Sequence, residues 1–438
     1  MPVYREVGAS TLYEVVKVQT CSGQPLEVTT TSGNVTYVQA GGTSSDAFGR
    51  FRTSAPLTLF DSSHRYRDNG LWATSTGTGG TYIFSSGEGL VNMNVTTASG
   101  AEVIRETTKV CAYQPGKSLQ VMNTFVMASG KANLRQRVGY YGASNGIYLE
   151  VSGTSAPSFV ERSSSTGSLQ ETRVTQANWN VDKLDGTGQS GVTLDITKAQ
   201  IMWTDIEWLG EGTVRVGFII DGQFLHCHSF HHANLIESTY ITTASLPLRY
   251  EITNLGTTAS SSTLKQVCST VISEGGYELR GLQQAVGTDI NTPRALTASG
   301  TYYPIASLRL KSTSLDAIVI PTAISILASG GNSNYSWRIT ASATTSGGTW
   351  TSAGADSSVE YNLSGVSTSG GRVVAQGYFA AATQGTNSVD ILKEALFKFQ
   401  LERNTFTSTP YEFSVLVAAN SNTGSAVFGA VDWEEVSR

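Results

Sequence analysis

"TVRVGFIIDGQFLHCHSF", residues 213–230, sets the architecture of this chain. Two runs of alternating apolar and polar residues flank Asp221-Gly222. Both central residues of a type I′ turn need positive φ, so this dipeptide marks a two-residue β-hairpin. A loop that short fixes the register. Ile220 is expected opposite Gln223, Phe218 opposite Leu225 and Val216 opposite Cys227, on a core side shared with Val214 and Ser229. The other side then carries Phe224, His226, His228 and Phe230 against Ile219, Gly217, Arg215 and Thr213.

The same period of two recurs outward along the chain. It is present in "LVNMNV" (90–95), "SLQVMNTFVM" (118–127), "GIYLEV" (146–151), "TLDITKAQIMWTDIEW" (193–208), "LPLRYEIT" (246–253) and "LKQVCSTVI" (264–272). Turn residues bound each run, which predicts an all-β chain with a jelly-roll-like antiparallel sandwich over 59–282. A second set, including "AIVIPTAISILAS" (317–329), "YSWRITASA" (335–343), "YEFSVLVAA" (411–419) and "AVFGAVDWEEV" (426–436), predicts a smaller β-sandwich over 305–438. Between them, residues 283–304 gather Pro, Gly and Thr without periodicity and read as a linker. Only "SVDILKEAL" (388–396) has helical character. Residues 1–58 hold β-prone pieces but too few apolar residues for a core, so they are expected to be an extended docking arm that adds strands to neighbours.

Composition narrows the function. Charged residues are 14% of the 438, and the net charge is -5. A chain without a basic field does not hold a nucleic-acid backbone, so nucleic acid is not an expected partner. The start, "MPVYREVGAS", lacks a secretory pattern, and no stretch reaches the ~20 apolar residues that span a bilayer. Synthesis in a cytoplasm and no membrane partner are the expectations. Cys21, Cys111, Cys227 and Cys268 are far apart with no CxxC spacing, which suits reduced, mostly buried thiols.

Four of the five histidines fall in "FLHCHSFHH" (224–232). An HxH pair on one strand face can chelate zinc. Arg215, expected beside His228, would disfavour a divalent cation there. If Gly210-Glu211-Gly212 is a three-residue loop, Glu207 pairs with Arg215. Glu207, Arg215 and His228 then form a charge-complementary ladder across three strands, so no metal is assigned. "WTDIEW" resembles the laminarinase-like glycosidases, whose strand carries Glu-x-Asp-x-Glu. Asp205 and Glu207 match the last two positions, but Trp203 replaces the first glutamate, the nucleophile of a retaining mechanism. A lectin-like sheet that binds glycan through Trp203 and Asp205 is the stronger alternative to hydrolysis. The Gly-rich "TGTGGTYI" lacks the helix and Lys-Ser/Thr of a phosphate cradle. No catalytic residue and no cofactor site is assigned. Arg50 and Arg52 alternate with Phe48 and Phe51, and Arg65 and Arg67 flank Tyr66; both groups read as assembly contacts to acidic groups on a neighbouring protein.

The segment "DAFGRFRTSAPLTLFDSSHRYRDN" (46–69) resembles a signature of structural proteins in the virions of tailed bacteriophages, notably marine and cyanobacterial ones. Residues 205–252, "LFKFQLERN" and "GAVDWEEVSR" are similar to the same group. The resemblance implies a non-enzymatic virion component, as head decoration, fibre or tail-associated protein, made in the bacterial host cytoplasm. It implies other virion proteins as partners and no catalytic residue to carry over. A homo-oligomer, with a trimer as first expectation, and a host surface glycan complete the expected partners.

Overall fold

Period-two alternation becomes antiparallel strand throughout, and no α-helix occurs among the described residues. The structure, a computed structural model, describes residues 54–329, 333–381, 399–421 and 425–437, together with four short strands in the first 38 residues. Those four pair locally, Val3–Glu6 with Leu12–Val15 and Val28–Thr31 with Val35–Val38. Residues 1–55 form a unit of their own. Phe48, Arg50, Phe51, Arg52, Cys21 and the stretch 388–396 lie outside the described residues.

Residues 56–438 build two sandwiches with separate cores. In the larger, a front sheet of eight strands follows the order Gln223–Phe230, Val214–Ile220, Gln200–Ile206, Leu119–Val126, Ser262–Ser273, Leu90–Val95, Gly80–Ser85, with Leu57–Ser63 also paired to Ser262–Ser273. A back sheet of seven strands runs Gln170–Thr175, Ser158–Ser163, Gly146–Ser152, Leu134–Tyr141, Leu248–Asn254, Glu102–Thr107, Trp72–Thr76. Between them Phe125, Phe159, Phe218, Tyr140 and Tyr250 are fully buried. The smaller sandwich pairs a four-stranded sheet around Ser425–Ser437 with a six-stranded sheet around Tyr303–Leu310 and Ser333–Ser346.

The expected linker is not one. Residues 283–304 contribute Leu282–Gly287 and Arg294–Leu296, both paired with Ser425–Ser437, so this stretch is part of the second sandwich. Its polar sequence reflects a half-exposed edge rather than absence of strand. The sandwich entry is shifted too: Leu57–Ser63 already belongs to the front sheet, which moves the boundary from 58 to 55.

The hairpin at Asp221-Gly222 forms, with φ of 53° and 74° at the two residues. Ile220–Gln223, Phe218–Leu225 and Gly217–His226 pair as expected, and then the ladder slips. Val216 lies opposite His228, Arg215 opposite Ser229 and Val214 opposite Phe230. Cys227 is thereby the extra residue of a β-bulge. Its cause is tertiary: the Cys227 carbonyl accepts the N–H groups of Val181 and Asp182, at 3.0 and 3.1 Å. The Asn180 amide brackets Ser229, accepting its N–H at 2.8 Å and donating to its carbonyl at 2.9 Å.

Candidate functional site

The outer face of the front sheet centres on the hairpin Gln200–Ile206/Val214–Ile220. Its register differs by two residues from the expected one: Ile206 pairs with Val214 and Asp205 with Arg215. The loop is longer than three residues. Glu207 and Thr213 close it through Glu207 N–H to the Thr213 carbonyl (3.1 Å), and Gly212 N–H reaches the Trp208 carbonyl at 2.7 Å. A slip of two keeps each side chain on its predicted face but changes its partner.

The expected ladder of Glu207, Arg215 and His228 is therefore replaced. The row reads Asp205, Arg215, Ser229. Arg215 forms its ion pair with Asp205 and is 45% exposed at the side chain, whereas Asp205 is buried. Burial raises the Asp205 carboxyl above its ordinary value, aided by the charges of Glu274 and Glu207, against the pull of Arg215. Glu207 turns to its own loop and accepts Thr213 N–H at 3.2 Å. A ladder of alternating charge does exist, but on the back sheet. There Arg137 meets Glu150 at 2.7 Å, Arg135 meets Glu251 at 2.8 Å, and Arg249 meets Glu106 at 3.2 Å.

The histidines have separate tasks. His226 sits beside Trp203, ring centroids 5.8 Å apart, with Nε2 facing Ser229 Oγ at 2.9 Å. His228 packs edge-on against Phe230 at 4.6 Å and accepts the Asn180 N–H at Nδ1. Burial, then the neighbouring His226 and His231 rings, push His228 down to about 4. His232 pairs with Glu161 at 2.8 Å. Among the described residues, no three His, Cys, Asp or Glu side chains gather as a metal set. Cys111 and Cys227 are free and buried, and Cys268 is free and exposed.

Trp203 is only 6% exposed, so its ring is not the one offered to a ligand. Phe224, 5.8 Å from it and 53% exposed, is. Beyond Asp205 the face opens into a cleft of about 520 Å³, walled by Tyr113, Lys117, Ser118, Leu209 and Thr213. Lys117 and Ser118 come from a segment about 90 residues away in sequence and carry no local signal of this role. Leu209 is 63% exposed and held at φ 44°, an unusual setting for a non-glycine residue. Its N–H donates to Tyr113 Oη at 3.3 Å.

No family model matches the chain, and no curated protein matches it. Among solved structures it is similar to a β-glucanase of Bacillus licheniformis, at 12% identity and TM-score 0.32, over 48% of this chain and 96% of that one. It is similar to the carbohydrate recognition domain of Emp47p, at 12% and 0.29, over 47% and 90% of the two chains. A carbohydrate esterase from the Shiga toxin-encoding bacteriophage phi24B aligns at 12% and 0.31, over 50% and 99%. Likeness at this level bears on neither substrate nor activity.

Proposed function

We propose that the chain is a non-enzymatic structural component of a tailed-phage virion, built into the particle through its N-terminal segment and its sandwich surfaces. The observation that supports this most is how residues 54–69, the described part of the segment that resembles a virion signature, are used. They enter the front sheet as Leu57–Ser63 and are then locked from within. Ser62 Oγ accepts the Trp72 indole N–H at 2.8 Å, and Arg105 clasps both oxygens of Asp68 at 2.7 and 2.8 Å. Arg65, Tyr66 and Arg67 turn outward: Tyr66 is 81% exposed, with the Arg65 guanidinium 4.9 Å over its ring.

A fixed turn that holds two guanidinium groups and a phenol in water suits contact with another protein. Arg and Tyr are over-represented among the residues that dominate interface energies. Their placement just after residues 1–55 fits docking by the N-terminal segment, with the acidic partner surface on another virion protein or a second copy. Sparse charge supports the same use, since a hydroxyl-rich surface packs against neighbours at small desolvation cost.

Mass spectrometry of purified particles, stripped of tails and intact, tests the reading. The chain is expected in the particle. Removing residues 1–45 leaves folded sandwiches that do not incorporate, and the triple change Arg65→Ala, Tyr66→Ala, Arg67→Ala lowers incorporation about tenfold or more at unchanged melting temperature. Particles that lack the protein, or that take up the truncated chain normally, would overturn the proposal.

A further inference from the structure

We infer that the outer face of the front sheet, along the hairpin Gln200–Ile206/Val214–Ile220, binds a neutral oligosaccharide. This recognition role is separate from the structural one and stands on other residues.

Side chains on one face of a strand repeat about every 7 Å. Along this hairpin the rows run from Phe224 with Ile201 and Ile219, through Trp203 and His226, to Asp205 with Arg215, and end at the exposed Leu209 of the loop. The path is apolar at both ends and polar in the middle. Gly217, between Trp203 and His226, lets the neighbouring strand and the indole close in: a methyl group there would overlap the Leu225 carbonyl and come within 2.9 Å of Trp203 Nε1. That buried indole N–H has no acceptor among the described residues.

The chemistry of the face selects the ligand class. Gln200–Ile206 and Val214–Ile220 are interior to the sheet and Gln223–Phe230 is its edge, so a ligand lying across this face meets side chains, whereas a peptide adding as a strand would dock along the edge instead. Lys117 and Arg215 line the same cleft as Asp205 and Glu207, Arg215 pairs with Asp205, and Glu274 stands behind Ser118, which donates to it at 2.5 Å. Three carboxylates against two cations disfavour phosphate, uronate or any other anionic ligand. What remains is a ligand with apolar C–H faces for Phe224 and Leu209 and paired hydroxyls for planar carboxylate and guanidinium groups. A neutral pyranose chain has both. Asp205 is held by Arg215 before the ligand arrives, so little ordering is needed on binding.

The test applies the full chain to an array of neutral and anionic oligosaccharides, then measures the best neutral compound by titration calorimetry. Binding to neutral glycans is expected, with affinity lowered about tenfold or more by Phe224→Ala and by Arg215→Ala. Tyr378→Ala, an exposed aromatic of the second sandwich, leaves it unchanged. Phe224→Ala alters a solvent-facing ring, and its melting temperature verifies the fold. The inference is overturned by an array without neutral hits, by binding confined to anionic glycans, or by unchanged affinity in folded Phe224→Ala. Particle uptake separates the two roles: Phe224→Ala protein incorporates like wild type, and loss of incorporation would assign this face to assembly instead.

Discussion

His232 has both ring nitrogens facing acceptors: Nε2 meets Glu161 Oε2 at 2.8 Å and Nδ1 meets the Gly212 carbonyl at 2.5 Å. Two acceptors favour a ring protonated at both nitrogens, and that ring is stacked 4.0 Å from Tyr240. Burial works against that charge, but the Glu161 carboxylate and the Gly212 carbonyl outweigh it and hold the pKa above the ordinary value. A folded value above the unfolded one means the clip contributes fully below about pH 6.5 and is lost as pH rises through the folded value. His64 and His228 behave oppositely. Burial above all, with Arg105 beside His64, lowers both to about 4. Their neutral forms stabilise the fold above about pH 6.5, and that contribution fades as pH falls toward 4. A ring-proton NMR titration is expected to find His232 titrating above 6.5 and the other two near 4; the reverse order would refute these assignments. Glu161→Gln should bring His232 back toward or below 6.5 by removing the counter-charge.

At the scale of elements, the bulge at Cys227 and the close packing at Gly217 decide what the front face presents. The strand Gln223–Phe230 is an edge, and its carbonyl at Cys227 serves two N–H groups of the crossing segment at 181 and 182. Satisfying those groups is worth the local loss of ladder, because buried unpaired amides are costly. Gly217→Ala introduces a methyl into backbone and indole, and overpacking of this kind costs about 3 kcal/mol. Urea unfolding reads that loss directly, and a stability change below about 1 kcal/mol would show that the strands yield at this point. The alternating charges of the back sheet belong to the same scale. Buried, mutually hydrogen-bonded Arg and Glu rows fix register among Leu134–Tyr141, Gly146–Ser152 and Leu248–Asn254, where the outward face would otherwise be indifferent to slippage.

For the whole molecule, the two sandwiches are joined by a seam rather than a tether. Val110 and Ala112 of the first pack with Ile318 and Ile320 of the second. Arg403 is buried there, donating to Glu106 at 2.8 Å, to Asp316 at 2.9 Å and to the Thr107 carbonyl at 2.5 Å. Burial raises the Glu106 carboxyl, while Arg403 and Arg249 oppose that shift. Breaking one side of a buried pair leaves a charge without compensation, so Arg403→Ala is expected to cost about 3–5 kcal/mol. Calorimetry should show one transition for the two sandwiches in the wild type and two in the variant. The double change Arg403→Met, Glu106→Gln recovers part of the loss, since it removes the buried pair together while Arg249 keeps Glu251 as its partner. A wild-type melting profile for Arg403→Ala would mean that the apolar patch alone holds the seam.

Alternation and turn chemistry were enough to determine an all-β chain, the Asp221-Gly222 hairpin and the face on which Trp203, Asp205 and Arg215 lie, because these depend on neighbours within a few residues. Strand 282–287 escaped notice because an edge strand with few apolar residues looks like a loop until its partner, 150 residues away, is in place. Tertiary structure alone decided the partner of Arg215, the bulge at Cys227, the burial of Trp203 behind Phe224, and the arrival of Lys117 and Ser118 beside Asp205. The physical reason is that local pattern fixes the direction a side chain points, whereas what it meets is set by loop length and by hydrogen bonds from distant segments.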